Sequence, residues 1–279
     1  MLSMVTDRVP TVTVIGTCRV HDTLNQAQSL GLIQLDNGGM NSFVHSLPEI
    51  LLRLEVLSRK SEYLKNIVDI QVGIRSGVKL RPEETFEIKD TDVIVIEISS
   101  LKAIFYQNHP LQFNEVNRHL CTPNGEFGIK LRDEINLAFK NGNDKINIPD
   151  LPYPVSIPQR YKQIISGLSP MLMDEESIHS YLEQVVDFAG NIPIMFVNHI
   201  NIEGNNGEKI SSRDKLCRII TNYCDANGLS LYEPADLFKI HDKKYLLAKE
   251  GKDLAHYAET ALATVGLAQY DKITELNRI

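Results

Sequence analysis

Residues 92–98 read Asp-Val-Ile-Val-Ile-Glu-Ile, an almost unbroken β-branched run. A strand that is apolar on both faces has to be covered on both faces, and a parallel sheet sandwiched between helices does this. Four shorter runs join it. Residues 11–15 (Thr-Val-Thr-Val-Ile) predict a strand stopped by the tight turn Gly16-Thr17-Cys18. Residues 32–35 end in Asp36-Asn37-Gly38-Gly39, whose members tolerate positive φ and suit a turn. Residues 192–197 and 229–232 predict two later strands.

Helical signals separate these runs. Ser46 and Glu49 have capping-box spacing around Pro48, ahead of an apolar stripe of Ile50, Leu51, Leu54 and Leu57. Residues 174–188 carry Ile178, Tyr181, Leu182 and Val185 on one helical face, and Ser212 opens a stretch carrying Leu216, Ile219, Ile220 and Tyr223. Residues 253–270 predict a closing helix. The alternation implies an α/β fold of three layers, α/β/α, with a doubly wound, mostly parallel sheet.

Residues 105–160 interrupt the pattern with Asn, Pro and charge, and 141–144 and 149–158 read as loops, so this stretch is expected to be a loop-rich insertion or lid. Residues 1–279 are expected to form one domain, because motifs near residues 15 and 256 must meet on one rim. The chain is 43% hydrophobic, enough for a sizeable core. A net charge of -7 supplies no basic field for nucleic acid. No apolar run approaches the ~20 residues that cross a bilayer. Asp7 and Arg8 precede any apolar stretch, so neither a signal peptide nor membrane insertion is expected, and the location expected is cytoplasmic.

Open α/β sheets place ligands at the carboxyl ends of their strands. The first strand ends at Gly16-Thr17-Cys18-Arg19. A thiol at a helix start sits among unpaired N–H groups that favour the thiolate, which makes Cys18 a candidate nucleophile. A free cysteine after a turn also simply packs, so the turn alone leaves both readings open. Of the other three cysteines, Cys217 and Cys224 fall on the apolar face of a predicted helix, and Cys121 lies in the insertion.

A base stands in Asp253-Leu-Ala-His256: spacing of three on a helix puts carboxylate and imidazole on one face, with Asp253 on Nδ1–H and Nε2 left for the nucleophile. An N-cap aspartate and a solvated histidine give the same pattern. Arg19 has a planar fork suited to a substrate carboxylate or phosphate, although an internal acidic partner would also take it. Asn41 and His45 follow the second strand, and His199 ends a later strand, as the second choice for a site histidine. No ligands stand at metal spacing, and neither G-x-G-x-x-G nor a P-loop occurs.

The nucleophile turn after the first strand and a DxxH near the C-terminus together resemble the SGNH/GDSL hydrolase superfamily. Cysteine in place of serine is similar to GSCFA-type proteins and capsule-polysaccharide acetyltransferases. The resemblance implies Cys18 as nucleophile, His256 as base and Asp253 as its orienter, with the sulfur within roughly 4 Å of a ring nitrogen. Ser99-Ser100-Leu101 stands where the family has Gly-x-Asn-Asp. The oxyanion and substrate groups expected in its place are the Cys18 N–H, Gly16, Arg19, Gly38, Gly39, Asn41, His45, Ser99 and His199. The implied activity is acyl transfer, or ester or thioester hydrolysis, through an acyl-cysteine. The partner is a small-molecule or carrier-bound acyl substrate, with coenzyme A or a carrier thioester as donor and no tightly bound cofactor. The rival reading is a catalytically silent SGNH-like protein that binds a small molecule.

Overall fold

The computed structural model describes residues 8–37, 43–58, 68–71, 88–148, 152–204 and 207–276. In chain order the principal elements are β1 (Thr11–Ile15), α1 (Cys18–Ser29), β2 (Gln34–Leu35), α2 (Leu47–Leu57), β3 (Val93–Glu97), β4 (Lys102–Tyr106), β5 (His109–Leu111), α3 (Gly125–Asn141), α4 (Gln159–Ser166), β6 (Leu168–Leu172), α5 (Glu175–Ala189), β7 (Ile194–Val197), α6 (Ser211–Asn227), β8 (Ser230–Tyr232) and α7 (Leu262–Leu276). They divide into two compact units, one of Met1–Gly38, Glu83–Ile98 and Ala189–Ile279, the other of Gly39–Pro82 and Ser99–Phe188.

The first unit is the doubly wound α/β sheet that the apolar runs predict. Its five strands are parallel and stand in the order β2-β1-β3-β7-β8. Every residue of β3 is buried, as a central strand covered on both faces requires. Val12, Val14, Val93, Val95, Met195 and Val197 share a core with Val20, Leu24 and Ala27 of α1 and with Val265 and Ile273 of α7. Ile94, Ile96 and Phe196 alternate with them and are equally buried. Helix α6 buries Leu216, Ile219, Ile220 and Tyr223 together with Cys217 and Cys224, whose thiols are both free.

Strand order reverses between β1 and β3, and a doubly wound sheet opens its ligand crevice beyond the carboxyl ends at that reversal. The turn after β1 and the end of β3 are therefore the privileged positions.

The second unit carries a three-stranded antiparallel sheet, β5-β4-β6. Residues 105–160, read from sequence as a loop-rich insertion, lie within it and contain β5, the 17-residue α3 and the start of α4. The buried residues Phe127, Leu131, Ile135 and Phe139 recur every fourth position along α3. Gly142 caps that helix in the left-handed region at φ 68°, inside the loop expected at 141–144. Cys121 joins the core of this unit. At the start of α2 the capping box forms one position out of register, with the Ser46 hydroxyl donating to Glu49 at 3.0 Å and the His45 N–H donating to its other oxygen at 3.0 Å.

Helices α1 and α7 pack so closely that a Cβ on Gly266 would lie 2.2 Å from the carbonyl oxygen of Thr23. Nearby, the buried Thr23 hydroxyl donates to Gln269 at 2.6 Å. Gly266→Ala is expected to force the helices apart and lower stability by about 1–3 kcal/mol, measured by urea unfolding.

Candidate active site

Gly16 is required where β1 ends, because a Cβ there would lie 2.7 Å from Glu97 Cβ and 2.8 Å from Val20 Cγ1. That close approach brings the turn onto Glu97, the last residue of β3, whose side chain is 1% exposed. One carboxylate oxygen of Glu97 accepts the Thr17 N–H at 3.0 Å and the Thr17 hydroxyl at 2.5 Å. The other accepts Arg19 Nε at 2.5 Å. Burial alone would raise the Glu97 pKa. Arg19 and the Thr17 hydroxyl outweigh it, so the pKa falls below the usual carboxylate value and the group is an anion.

Of the two partners open to Arg19, a substrate anion or an internal acid, the structure shows the internal one: its side chain is 10% exposed, with Nε on Glu97 and Nη1 donating to the Ala255 carbonyl at 3.1 Å. It thereby ties the turn after β1 to the segment carrying the second motif.

Cys18 is the first residue of α1, as the sequence implies, and is half-buried. Its thiol departs from the expected thiolate. Burial pushes its pKa up, and Asp22 and Glu97 push the same way, against the lowering effect of Arg19 and of the residue's own N–H. The resting side chain is a neutral thiol, which needs a base to become a nucleophile.

Asp253 and His256 meet, but not on a helix. Residues 253–258 are not helical, and α7 begins only at Leu262 after a 3-10 turn at Glu259–Ala261. Asp253 accepts the Ala255 N–H at 3.0 Å, a side-chain turn that stands in for the helical one. The ring nitrogen Nδ1 of His256 lies 3.1 and 3.2 Å from the two Asp253 oxygens. Burial works to raise the Asp253 pKa, and the Ala255 N–H, His256 and Lys249 overcome it, holding the carboxyl below its ordinary value. An anionic orienter on Nδ1–H leaves Nε2 as the basic nitrogen, and 53% of the His256 side chain is exposed.

The chain enters this segment through Lys249, Glu250 and Gly251, all in the left-handed region at φ 52°, 55° and 84°. For the two non-glycine residues that conformation costs roughly 1–2 kcal/mol each, and such strain clusters at functional sites.

His199 is buried and bonded through Nδ1 to the Ile200 carbonyl at 3.0 Å. Burial, then the positive Arg19 and Arg213, drive its pKa down to about 3 against the pull of Glu97. It stays neutral and is too weak a base for proton transfer near neutral pH. His45 and Ser99 belong to the second unit and bond to each other, Nδ1 to Oγ, at 3.0 Å, while Asn114 lies 2.8 Å from Nε2. Gly38, Gly39 and Asn41 lie outside the described residues.

The sequence reading missed Glu97 and Arg213. Glu97 had a signal, a lone charge in an apolar run, since a carboxylate in a two-faced buried strand must be paired. Arg213 had none. It bridges the Ile200 and Leu254 carbonyls at 2.8 and 2.7 Å, a link made only by tertiary structure.

The turn after β1 carries a thiol and a later loop carries a carboxylate–imidazole pair, and comparison with known proteins names the family. The profile described as the TviD N-terminal domain matches residues 10–271, and the chain belongs to that family. It is 25% identical over 258 residues to the Vi polysaccharide biosynthesis protein TviD of Salmonella typhi, a match covering 89% of this chain and 30% of that longer protein. Among solved structures, a mutant of Axe2, an acetyl-xylooligosaccharide esterase from Geobacillus stearmophilus, is similar at 10% identity and a TM-score of 0.40, over 95% of this chain and 94% of that one.

The depressed His199 pKa has a thermodynamic consequence. Above the ordinary value of 6.5 both folded and unfolded states hold the ring neutral. As pH falls from there toward about 3, only the unfolded state takes up the proton, so stability declines through that window. Replacing His199→Gln is expected to flatten this decline by no more than about 1.4 kcal/mol per pH unit, compared by urea unfolding between about pH 7 and about pH 5.

Proposed function

We propose that this chain is an acyl-transfer enzyme, an acyltransferase or an ester or thioester hydrolase, in which Cys18, His256 and Asp253 act as nucleophile, base and orienter. The observation that carries the reading is the Asp253–His256 pair, held in a loop whose neighbouring carbonyl is bonded to the residue after Cys18. The two motifs lie 236 residues apart across the Arg19–Ala255 contact.

In the proposed reaction His256 Nε2 takes the Cys18 proton, and the sulfur attacks the acyl carbonyl. The new C–S bond forms as the donor's C–S or C–O bond breaks, and the leaving group departs with the proton from His256. An acceptor hydroxyl or water then gives its proton to His256 and attacks the acyl-cysteine, which restores the thiolate and, by proton return, the thiol. A neutral resting thiol makes the base indispensable, and Asp253 supports the imidazolium formed at each step. Thiol-to-thioester exchange is nearly balanced in energy, which favours a coenzyme A ester or carrier-bound thioester as donor. The TviD relative's name concerns polysaccharide biosynthesis, and this supports a carbohydrate hydroxyl as the acceptor. The oxyanion donor we assign is the Cys18 N–H.

Incubation with acetyl-coenzyme A or p-nitrophenyl acetate, followed by intact-mass measurement, is expected to show one added acetyl group that is lost in Cys18→Ala. Acylation by the same reagents is expected to slow by about 10²–10⁴-fold in His256→Ala. No adduct and no hydrolysis from either reagent, with Cys18 inert to mild alkylation, would overturn the enzyme reading in favour of a silent binding protein.

A further inference from the structure

The loop that carries Asp253 and His256 leaves the core at Leu246 and Leu247 and returns to it at Tyr257, with Leu254 packed against it. It is closed at its base by an antiparallel bridge between Leu247 and Tyr257, with the Ala248 N–H on the His256 carbonyl at 3.0 Å and the Ala258 N–H on the Leu246 carbonyl at 2.9 Å. Between these points it passes through the left-handed turn at Lys249, Glu250 and Gly251, and the His256 side chain, beside the bridge, is exposed. The Asp253–His256 contact orients the ring within the loop. It does nothing to fix the loop against the turn after β1.

Two guanidinium groups do that from outside. Arg213, in the first turn of α6, donates Nη1 to the Leu254 carbonyl at 2.7 Å and to the Ile200 carbonyl beyond β7 at 2.8 Å. Arg19, in the first turn of α1, donates Nη1 to the next carbonyl, Ala255, at 3.1 Å while its Nε holds Glu97. Consecutive carbonyls between Asp253 and His256 are thus pinned from two different helices, and Glu97 extends the connection to Thr17, next to Cys18. A planar fork reaches a carboxylate and a carbonyl at once, which an ammonium on a flexible stem does not.

We propose that Arg19 and Arg213 are a paired positioning clamp that sets His256 against Cys18, rather than groups that bind substrate. This rests on Cys18 and His256 being nucleophile and base. Arg19→Lys and Arg213→Lys are the informative variants, because each keeps a positive charge beside Glu97 and Asp253 while losing the fork. Amide hydrogen exchange followed by mass spectrometry reads the loop directly. Exchange over residues 253–258 is expected to quicken by about tenfold in each variant relative to the unaltered chain, with exchange in β3 unchanged.

Iodoacetamide alkylation of Cys18 across pH reads the coupling, since the thiolate is the reacting form. Near neutral pH, His256→Ala and Arg19→Lys are each expected to slow alkylation by about tenfold, and the double variant is expected to be no slower than His256→Ala alone. Unchanged loop exchange in both lysine variants would overturn the clamp, as would additive losses in the double variant. If the loop loosens while His256→Ala leaves Cys18 alkylation untouched, the nucleophile–base reading fails and the clamp loses its assigned role, an outcome distinct from failure of the clamp itself.

Discussion

A carboxylate at the end of the most buried strand would be intolerable without partners, and the pairing of Glu97 with Arg19 and Thr17 resolves this. Three donors converge on its two oxygens, from the Thr17 backbone, the Thr17 hydroxyl and the Arg19 guanidinium. Removing one partner from such a buried pair leaves an uncompensated charge, typically at a cost of about 3–5 kcal/mol. Gly16 is needed because the turn must press onto β3 for these bonds to form. The course of the chain from β1 into α1, and so the placement of Cys18 at that helix start, follows from satisfying this one buried anion.

The same pairing shapes the electrostatics of the first unit. Arg19 contributes to the states of Cys18, Glu97, His199, Arg213 and Tyr257, and it works against burial at Cys18 and Glu97 and with it at His199. The outcome is an anionic Glu97, a neutral His199 and a neutral thiol. Of the two candidate histidines here, His256 is exposed and carboxylate-bound, whereas His199 is buried and neutral. A doubly wound sheet collects such groups at the reversal of its strand order, and the turn after β1 and the end of β3 flank that reversal.

Much of this was legible in the residues. The run at 92–98 announced a central strand, and the turn at Gly16-Thr17-Cys18 announced a helix start. The spacing of Asp253 and His256 announced a carboxylate–imidazole contact, although an aspartate side-chain turn, not a helical turn, makes it. Helix α3 was not legible: its buried residues Phe127, Leu131, Ile135 and Phe139 recur every fourth position, but the polar residues among them made the stretch read as loop-rich. The expected thiolate failed for a reason that no linear pattern carries, because the desolvation of Cys18 depends on what folds over it.

By itself, then, the sequence determined the parallel α/β sheet and the turn that ends its first strand, because backbone preference and apolar periodicity are local properties. Only the tertiary structure decided that Arg19 serves Glu97 and a distant carbonyl, that Arg213 holds the neighbouring carbonyl, that His199 is neutral and that the thiol is protonated. Those outcomes turn on burial and on partners brought from up to 236 residues away, and neither exists until the strands have paired.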